Sequence, residues 1–147
     1  MNKIKPFIFP ACVIIIMILF HCFFLIYKVQ GSSMVPTLSD KKLGIAVRTS
    51  VAQIDRFDIV VIETDDKYLV KRAIGLPNEK IEYKDGKLYI NDIEYEDDDF
   101  SYLTEDFQII VNDGEYFCLG DNRENSVDSR SLGNFKKDMI KAILFSH

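Results

Sequence analysis

The chain is poor in the residues that most hydrolytic and metal sites are built from. Its two histidines, His21 and His147, sit at opposite ends, and its three cysteines are Cys12, Cys22 and Cys118. Cys12 and Cys22 share one apolar stretch while Cys118 stands alone, so no disulfide framework can be drawn and no zinc-ligand spacing exists. No metal or cofactor is expected, and the fold must hold by burial. A Ser-His-Asp triad, like a cysteine protease, needs a histidine beside the nucleophile, and neither histidine is placed to serve. A basic stripe is missing too. With a net charge of -5, the chain has no surface for neutralising phosphates, which excludes a general nucleic-acid binder. The acidic run Glu94 to Asp99 (EYEDDD) reads as a solvated loop.

Charge is absent from one long segment. Phe7 to Tyr27 (FIFPACVIIIMILFHCFFLIY) carries none, and as a helix it would reach roughly 31 Å, the thickness of a bilayer core. Pro10 falls in its first turns, where a missing N–H costs little, and His21 reads as a tolerated helix residue. Lys3 and Lys5 precede the segment and only Lys28 follows closely, which points the N-terminus to the cytoplasm and the remainder outside. Val29-Gln30-Gly31 offers the small residues of a cleavable leader, but the apolar run exceeds a leader's usual length, so a retained single-pass anchor is the expectation. The division is then 1–28, cytoplasmic N-terminus and transmembrane anchor, and 29–147, an extracytoplasmic domain long enough to bury its own core.

Strand signals fill that domain. Leu43–Thr49, Phe57–Thr64 and Tyr68–Leu76 are short and β-branched, IEYKDGKLYIND alternates about the turn pair Asp85-Gly86, and Ile109–Asp121 holds a second Asp-Gly flanked by strands. No sustained 3.6-residue apolar period occurs outside the anchor. The fold class is mostly β behind one N-terminal transmembrane helix.

With histidine removed from consideration, a hydrolytic base has to be lysine, aspartate or glutamate, and a Ser-Lys pair is a known arrangement. Three segments stand out: GSSMVPTL (Gly31–Leu38), YLVKRAIGLP (Tyr68–Pro77), with Lys71 inside an apolar strand, and LGDNRENSVDSR (Leu119–Arg130), dense in turn formers and paired charges. Each has a bland reading, as a linker leaving the membrane, a solvent-facing lysine and a turn stapled by ion pairs.

Taken together and in order, they resemble the type I signal peptidase (leader peptidase) family, the bacterial serine proteases that remove signal peptides. Gly-x-Ser-Met-x-Pro-Thr-Leu matches the nucleophile segment, RFDIVVIE the adjoining strand, Tyr-x-x-Lys-Arg-x-Ile-Gly-Leu-Pro the base segment, and Gly-Asp-Asn-Arg-x-x-Ser-x-Asp-Ser-Arg the closing motif. The resemblance implies a signal-peptidase-like β catalytic domain in which Ser33 is the nucleophile, Lys71 the base, and Ser126 the hydroxyl that orients the lysine. It implies the backbone N–H of Ser33 as an oxyanion donor, whereas the family's other donor falls on Gly31, which has no side chain. It implies structural ion pairs Arg72 with Asp121 and Asp128 with Arg130. The pockets for small residues of the substrate would be walled by Val29, Met34, Leu38, Val61 and Val70. Partners are then signal peptides of preproteins and the lipid bilayer, in a bacterial plasma membrane. Ser33 lies six residues beyond Tyr27, a reach of at most about 20 Å, so the nucleophile stays near the bilayer surface.

The chain departs from the family where Phe57 replaces a glycine, Asn78-Glu79 replace Gly-Asp, and Lys136-Lys137 stand near a missing Val-Pro. Rival readings are a processing peptidase dedicated to one client, such as a pilin, and a catalytically silent assembly factor on the same fold.

Overall fold

The computed structural model describes residues 5–96, 99–100 and 104–145, with side chains from residue 9 onward. Lys3, two residues of the acidic run (Asp97 and Asp98) and His147 lie outside the described residues. The elements run α1 (Lys5–Phe23), β1 (Phe24–Lys28), β2 (Leu43–Arg48), β3 (Ile59–Glu63), β4 (Tyr68–Gly75), β5 (Lys80–Lys84), β6 (Lys87–Ile90) and β7 (Ile93–Tyr95). They continue through β8 (Phe107–Ile110), β9 (Glu115–Leu119), a 3-10 turn at Arg123–Asn125, α2 (Ser129–Leu132), β10 (Phe135–Lys136), a 3-10 turn at Lys137–Met139 and β11 (Ile140–Leu144).

The strands form two antiparallel sheets, a seven-stranded one ordered β1-β2-β11-β3-β4-β9-β10 and a four-stranded one ordered β7-β6-β5-β8. The mostly-β reading therefore holds. Strand β3 (IVVIE) sits between β11 and β4 and is buried on both faces: Val60 and Ile62 enter one apolar cluster, Ile59 and Val61 another. That position explains its unbroken β-branched run. The Asp85-Gly86 hairpin forms as read, both residues at positive φ (51° and 74°) between the paired Lys84 and Lys87. Ile109–Asp121, by contrast, does not act as one unit. Strand β8 joins the small sheet and β9 the large one, so the second Asp-Gly links two sheets.

The apolar N-terminal run is divided rather than continuous. Helix α1 ends at Phe23, and Phe24–Lys28 pair as a strand with Leu43–Val47 of β2. FLIYK suits a strand as well as a helix, and a sheet edge was available to take its backbone hydrogen bonds. The junction thus falls before Phe24, and residues 24–28 belong to the β body. No helix among the described residues is long and apolar enough to cross a membrane.

Gly75 marks the place where the two sheets meet. A Cβ there would come within 2.7 Å of Ile81, 2.8 Å of Val111 and 3.0 Å of Phe117. Gly75→Ala is expected to lower unfolding free energy by about 1–3 kcal/mol through overpacking, read as a lower denaturant midpoint.

Candidate active site

Strand β4 supplies the central side chain. Alternation puts Lys71 on the same side as Leu69 and Ala73, opposite Val60 of β3, and Ala73 in turn pairs with Cys118 of β9. Lys71 is 2% exposed. Burial pulls its ammonium below the ordinary lysine value, and the carboxylates of Asp128 and Asp121 only partly restore it. Of the apolar residues next to Lys71 in the strand, Leu69, Val70, Ala73 and Ile74, two face elsewhere: Val70 packs in the cluster with Met34 and Val29, and Ile74 in the small-sheet cluster. The apolar wall around the amine comes from Leu69 and Ala73 and from their partners across the sheet.

Lys71 Nζ hydrogen-bonds Ser33 Oγ at 2.7 Å. These two groups are 38 residues apart in sequence, and the closing motif holds them together. Asn122 N donates to Ser33 O at 3.0 Å, Asn122 Nδ2 to Ser32 O at 3.2 Å, and Asn125 Nδ2 to Ser32 Oγ at 3.0 Å. Gly120 makes the approach possible: a Cβ on it would stand 2.2 Å from Ser126 Oγ and 2.6 Å from Ser33 O. The two asparagines were not singled out from the sequence. Both were legible as turn formers inside the motif, but nothing local marks an amide that reaches 90 residues back.

The expected ion pairs are formed. Arg72 Nε and Nη2 donate to Asp121 Oδ1 and Oδ2 at 2.8 and 2.6 Å, and Arg72 Nη1 donates to Phe57 O at 2.9 Å. Arg130 Nε and Nη2 each donate to Asp128 at 2.9 Å. Asp128 also caps α2, accepting from Arg130 N, and accepts from Gly120 N at 3.1 Å. Burial alone would push the Asp128 carboxyl up, but the donors from Arg130 and Gly120 outweigh it and hold the carboxyl below its usual range. Both aspartate side chains are fully buried, so removing either partner leaves an uncompensated charge, at a cost of about 3–5 kcal/mol.

Ser126 does not make the bond to Lys71 that the family resemblance implied. Its Oγ is buried and has no hydrogen-bond partner. The hydroxyl stands beside the Asp128 carboxylate, near enough to favour its ionised form, without a hydrogen bond of acceptable geometry. The amine's contact is made with Ser33 instead. Arg123, also unread from sequence, is buried, donates through Nε to Gly120 O at 2.9 Å and lies over the Tyr83 ring of β5 at 5.7 Å, fastening the loop to the small sheet. Cys118 is buried beside Lys71, and its thiol is pushed far up by desolvation, which makes it an inert packing residue.

A groove of about 960 Å³ opens at Ser33 and Lys71. Of the residues expected to wall substrate pockets, Val29, Met34, Val61 and Val70 line this groove. Leu38 does not; it is buried behind them, its amide bonded to Met34 O at 2.8 Å. Strand β4 pairs with β9 only from Arg72 onward, so the edge of Tyr68–Lys71 that faces the groove carries no strand among the described residues.

The family profile described as signal peptidase, peptidase S26, matches residues 1–145. This chain belongs to that signal peptidase family. It is 39% identical over 144 residues to signal peptidase I S of Bacillus subtilis, covering 87% of this chain and 78% of that protein. It is 36% identical to signal peptidase I of Streptococcus pneumoniae over 74% of each chain. The crystal structure of a signal peptidase I from Enterococcus faecalis superposes with a TM-score of 0.58 at 34% identity, covering 64% of this chain and 98% of that one. The chain is accordingly a serine protease, a hydrolase of the signal peptidase I type.

Within the family frame, two departures become intelligible. Phe57 and Asn78 occupy glycine positions of the family, and both have positive φ, 67° and 68°. Asn tolerates that region readily; a phenylalanine there is strained. Phe57 offsets the strain by packing on the small-sheet cluster and against Tyr95, ring centroids 5.7 Å apart. Glu79, in place of the family's aspartate, takes Arg56 through both oxygens and caps Leu76 N at 2.7 Å. Lys136 and Lys137 are exposed, at β10 and the turn after it. None of these changes meets Ser33 or Lys71.

Gly120→Ala is expected to reduce proteolysis at least about tenfold, because the added carbon would displace the backbone oxygen of Ser33. Steady-state cleavage of a preprotein reads the effect, with circular dichroism to show that the sheets persist.

Proposed function

We propose that this chain is a membrane-bound endopeptidase that cleaves N-terminal signal peptides from exported preproteins, with Ser33 as nucleophile and Lys71 as general base. The 2.7 Å contact between Ser33 Oγ and a lysine that burial inclines to neutrality carries the reading. A neutral Lys71 accepts the hydroxyl proton as Ser33 Oγ bonds the scissile carbonyl carbon and the carbonyl electron pair moves onto oxygen. Collapse of that intermediate breaks the C–N bond, and the proton on Lys71 passes to the leaving amine. Lys71 then takes a proton from water, whose oxygen attacks the acyl-serine carbon; the C–Oγ bond breaks, Lys71 returns the proton to Ser33 Oγ, and the second product leaves as its acid. The Ser33 backbone N–H has no acceptor among the described residues and is available to the developing oxyanion. Arg72–Asp121 and Asp128–Arg130 hold the loop and strand in register and move no proton. No metal or cofactor enters these steps.

The substrate binds by strand addition along the open edge of Tyr68–Lys71, with Val29, Met34, Val61 and Val70 shaping shallow pockets for small side chains. A signal peptide, the substrate class that the relatives' name of signal peptidase implies, fits here as an extended segment with small residues at the cut.

Helix α1 is assigned to the membrane as the helical part of the anchor, although the described helix is not by itself long and apolar enough to cross. Ile14, Ile15, Ile16 and Met17 are all more than half exposed, and four consecutive positions cover every side of a helix. A helix apolar all round needs a bilayer or a protein core around it. The N-terminus would lie in the cytoplasm of a bacterium and the β body outside the plasma membrane. The chain is expected to stay in the pellet after alkaline carbonate washing, and a version starting at Phe24 to go to the supernatant.

Ser33→Ala and Lys71→Met are expected to abolish cleavage of several preproteins in a mass-spectrometric assay while the fold persists. Cleavage of one client only would mark a dedicated processor, and turnover surviving in Lys71→Met would sink the base assignment. The base works when neutral, so activity rises with pH through the lowered Lys71 value and is lost as pH falls below it. Stability shares that sign. The unfolded lysine holds its proton to higher pH, so the folded chain binds fewer protons and gains stability with rising pH between the two values. Lys71→Met removes that slope and is expected to be no less stable than the parent at neutral pH.

A further inference from the structure

Two adjacent serines stand at the mouth of the groove, and they have different partners. Ser33 Oγ meets Lys71 Nζ, while Ser32 Oγ accepts from Asn125 Nδ2 at 3.0 Å. Both serines and Asn125 line the same groove. An oxyanion hole works through pre-aimed donors, and the Ser33 N–H is one donor. Gly31 has no side chain to provide another, and the side chains of Met34, Val70 and Val127 carry no hydrogen-bond donor.

We propose that the Ser32 hydroxyl is the second donor to the carbonyl oxygen of the scissile bond, and that Asn125 is the residue that aims it. This inference rests on Ser33 and Lys71 acting as proposed above. The amide of Asn125 occupies a lone pair of Ser32 Oγ and fixes its direction, while the hydroxyl hydrogen has no acceptor among the described residues. A hydroxyl that accepts one hydrogen bond is a stronger donor of the next. Asn122 holds the backbone oxygens of both serines, so the segment cannot swing when the substrate enters. As the Ser33 oxygen bonds the carbonyl carbon and its proton moves to Lys71, negative charge gathers on the carbonyl oxygen. Ser32 donates a hydrogen bond to that oxygen and keeps its own proton, and the bond is released when the carbonyl re-forms.

The test uses the full chain in detergent with a preprotein substrate, measuring kcat and KM separately. Ser32→Ala is expected to lower kcat by about 10²-fold with KM unchanged, and Ser32→Thr, which keeps the hydroxyl, to recover most of the loss. Asn125→Ala is expected to lose less, and the double variant to be no worse than Ser32→Ala, because Asn125 acts through Ser32. A peptide aldehyde, which forms an oxyanion on Ser33, is expected to bind Ser32→Ala more weakly by the same factor, with the product peptide unaffected. Ser32→Ala turning over within about threefold of the parent, while Ser33→Ala is dead, would overturn the second donor and leave the Ser33–Lys71 reading standing. Turnover in Ser33→Ala would remove both.

Discussion

A lysine side chain denied water is the constraint around which this molecule is arranged. Lys71 must be deep enough for burial to favour the uncharged amine and close enough to Ser33 to use its lone pair, and those demands conflict with the carboxylates nearby. Asp121 and Asp128, both fully buried, favour a charged amine. The conflict is resolved by giving each aspartate an arginine of its own. Arg72 takes both oxygens of Asp121, and Arg130 takes both of Asp128, so each carboxylate's charge is paired and its pull on the base is weaker than desolvation. Desolvation then dominates. Seen in this way, the arginines protect the neutrality of a group they never touch, and a loss of activity on mutating them would report electrostatics as readily as folding.

The second requirement is to bring a post-helix segment, a central strand and a late loop to one point. The strand is fixed by its place in the seven-stranded sheet, between β3 and β9. The other two pieces have little regular structure, and they are held by amides rather than by a sheet: Asn122 and Asn125 on the serine segment, and Gly120 as the surface on which Ser33 O and Ser126 pack. Arg123 ties the same loop to the small sheet through Gly120 O and the Tyr83 ring. The small sheet is therefore a buttress for the loop.

Much of this was legible in the sequence, for physical reasons that differ by element. Strand β3 showed itself because burial on both faces demands an unbroken apolar run, and the Asp85-Gly86 hairpin because Asp-Gly readily accepts two positive φ values in succession. The three chemical segments were readable as motifs. Less readable was anything decided by competition between tertiary partners. FLIYK satisfies a helix and a strand alike, and only the presence of β2 settles it. The direction of Val70 and Ile74 depends on strand alternation counted from Lys71, not on closeness in sequence. Ser126 was expected at the lysine, yet its hydroxyl stands by Asp128 while the amine's bond goes to Ser33. Local composition carries no information about which of two acceptors a side chain will find.

One consequence of the architecture concerns how an enzyme can keep a strand edge open without inviting its own kind. Strand β4 leaves Tyr68–Lys71 uncovered on the groove side, and an exposed edge is a template for aggregation. Here the open stretch is only four residues long and ends in charge. Lys67 precedes it, Arg48 and Lys141 stand at the same end of the groove, and Glu63 there is engaged by Tyr68 Oη at 2.5 Å and by Lys141 at 2.9 Å. A second copy adding its own edge would have to bring another Lys67 toward the Lys67, Arg48 and Lys141 already there, repeating like charges in a confined groove. A short apolar segment with small side chains meets no such obstacle. The edge is thus selective through what flanks it: the same charges that discourage self-pairing leave the stretch beside Ser33 open to a neutral, extended chain.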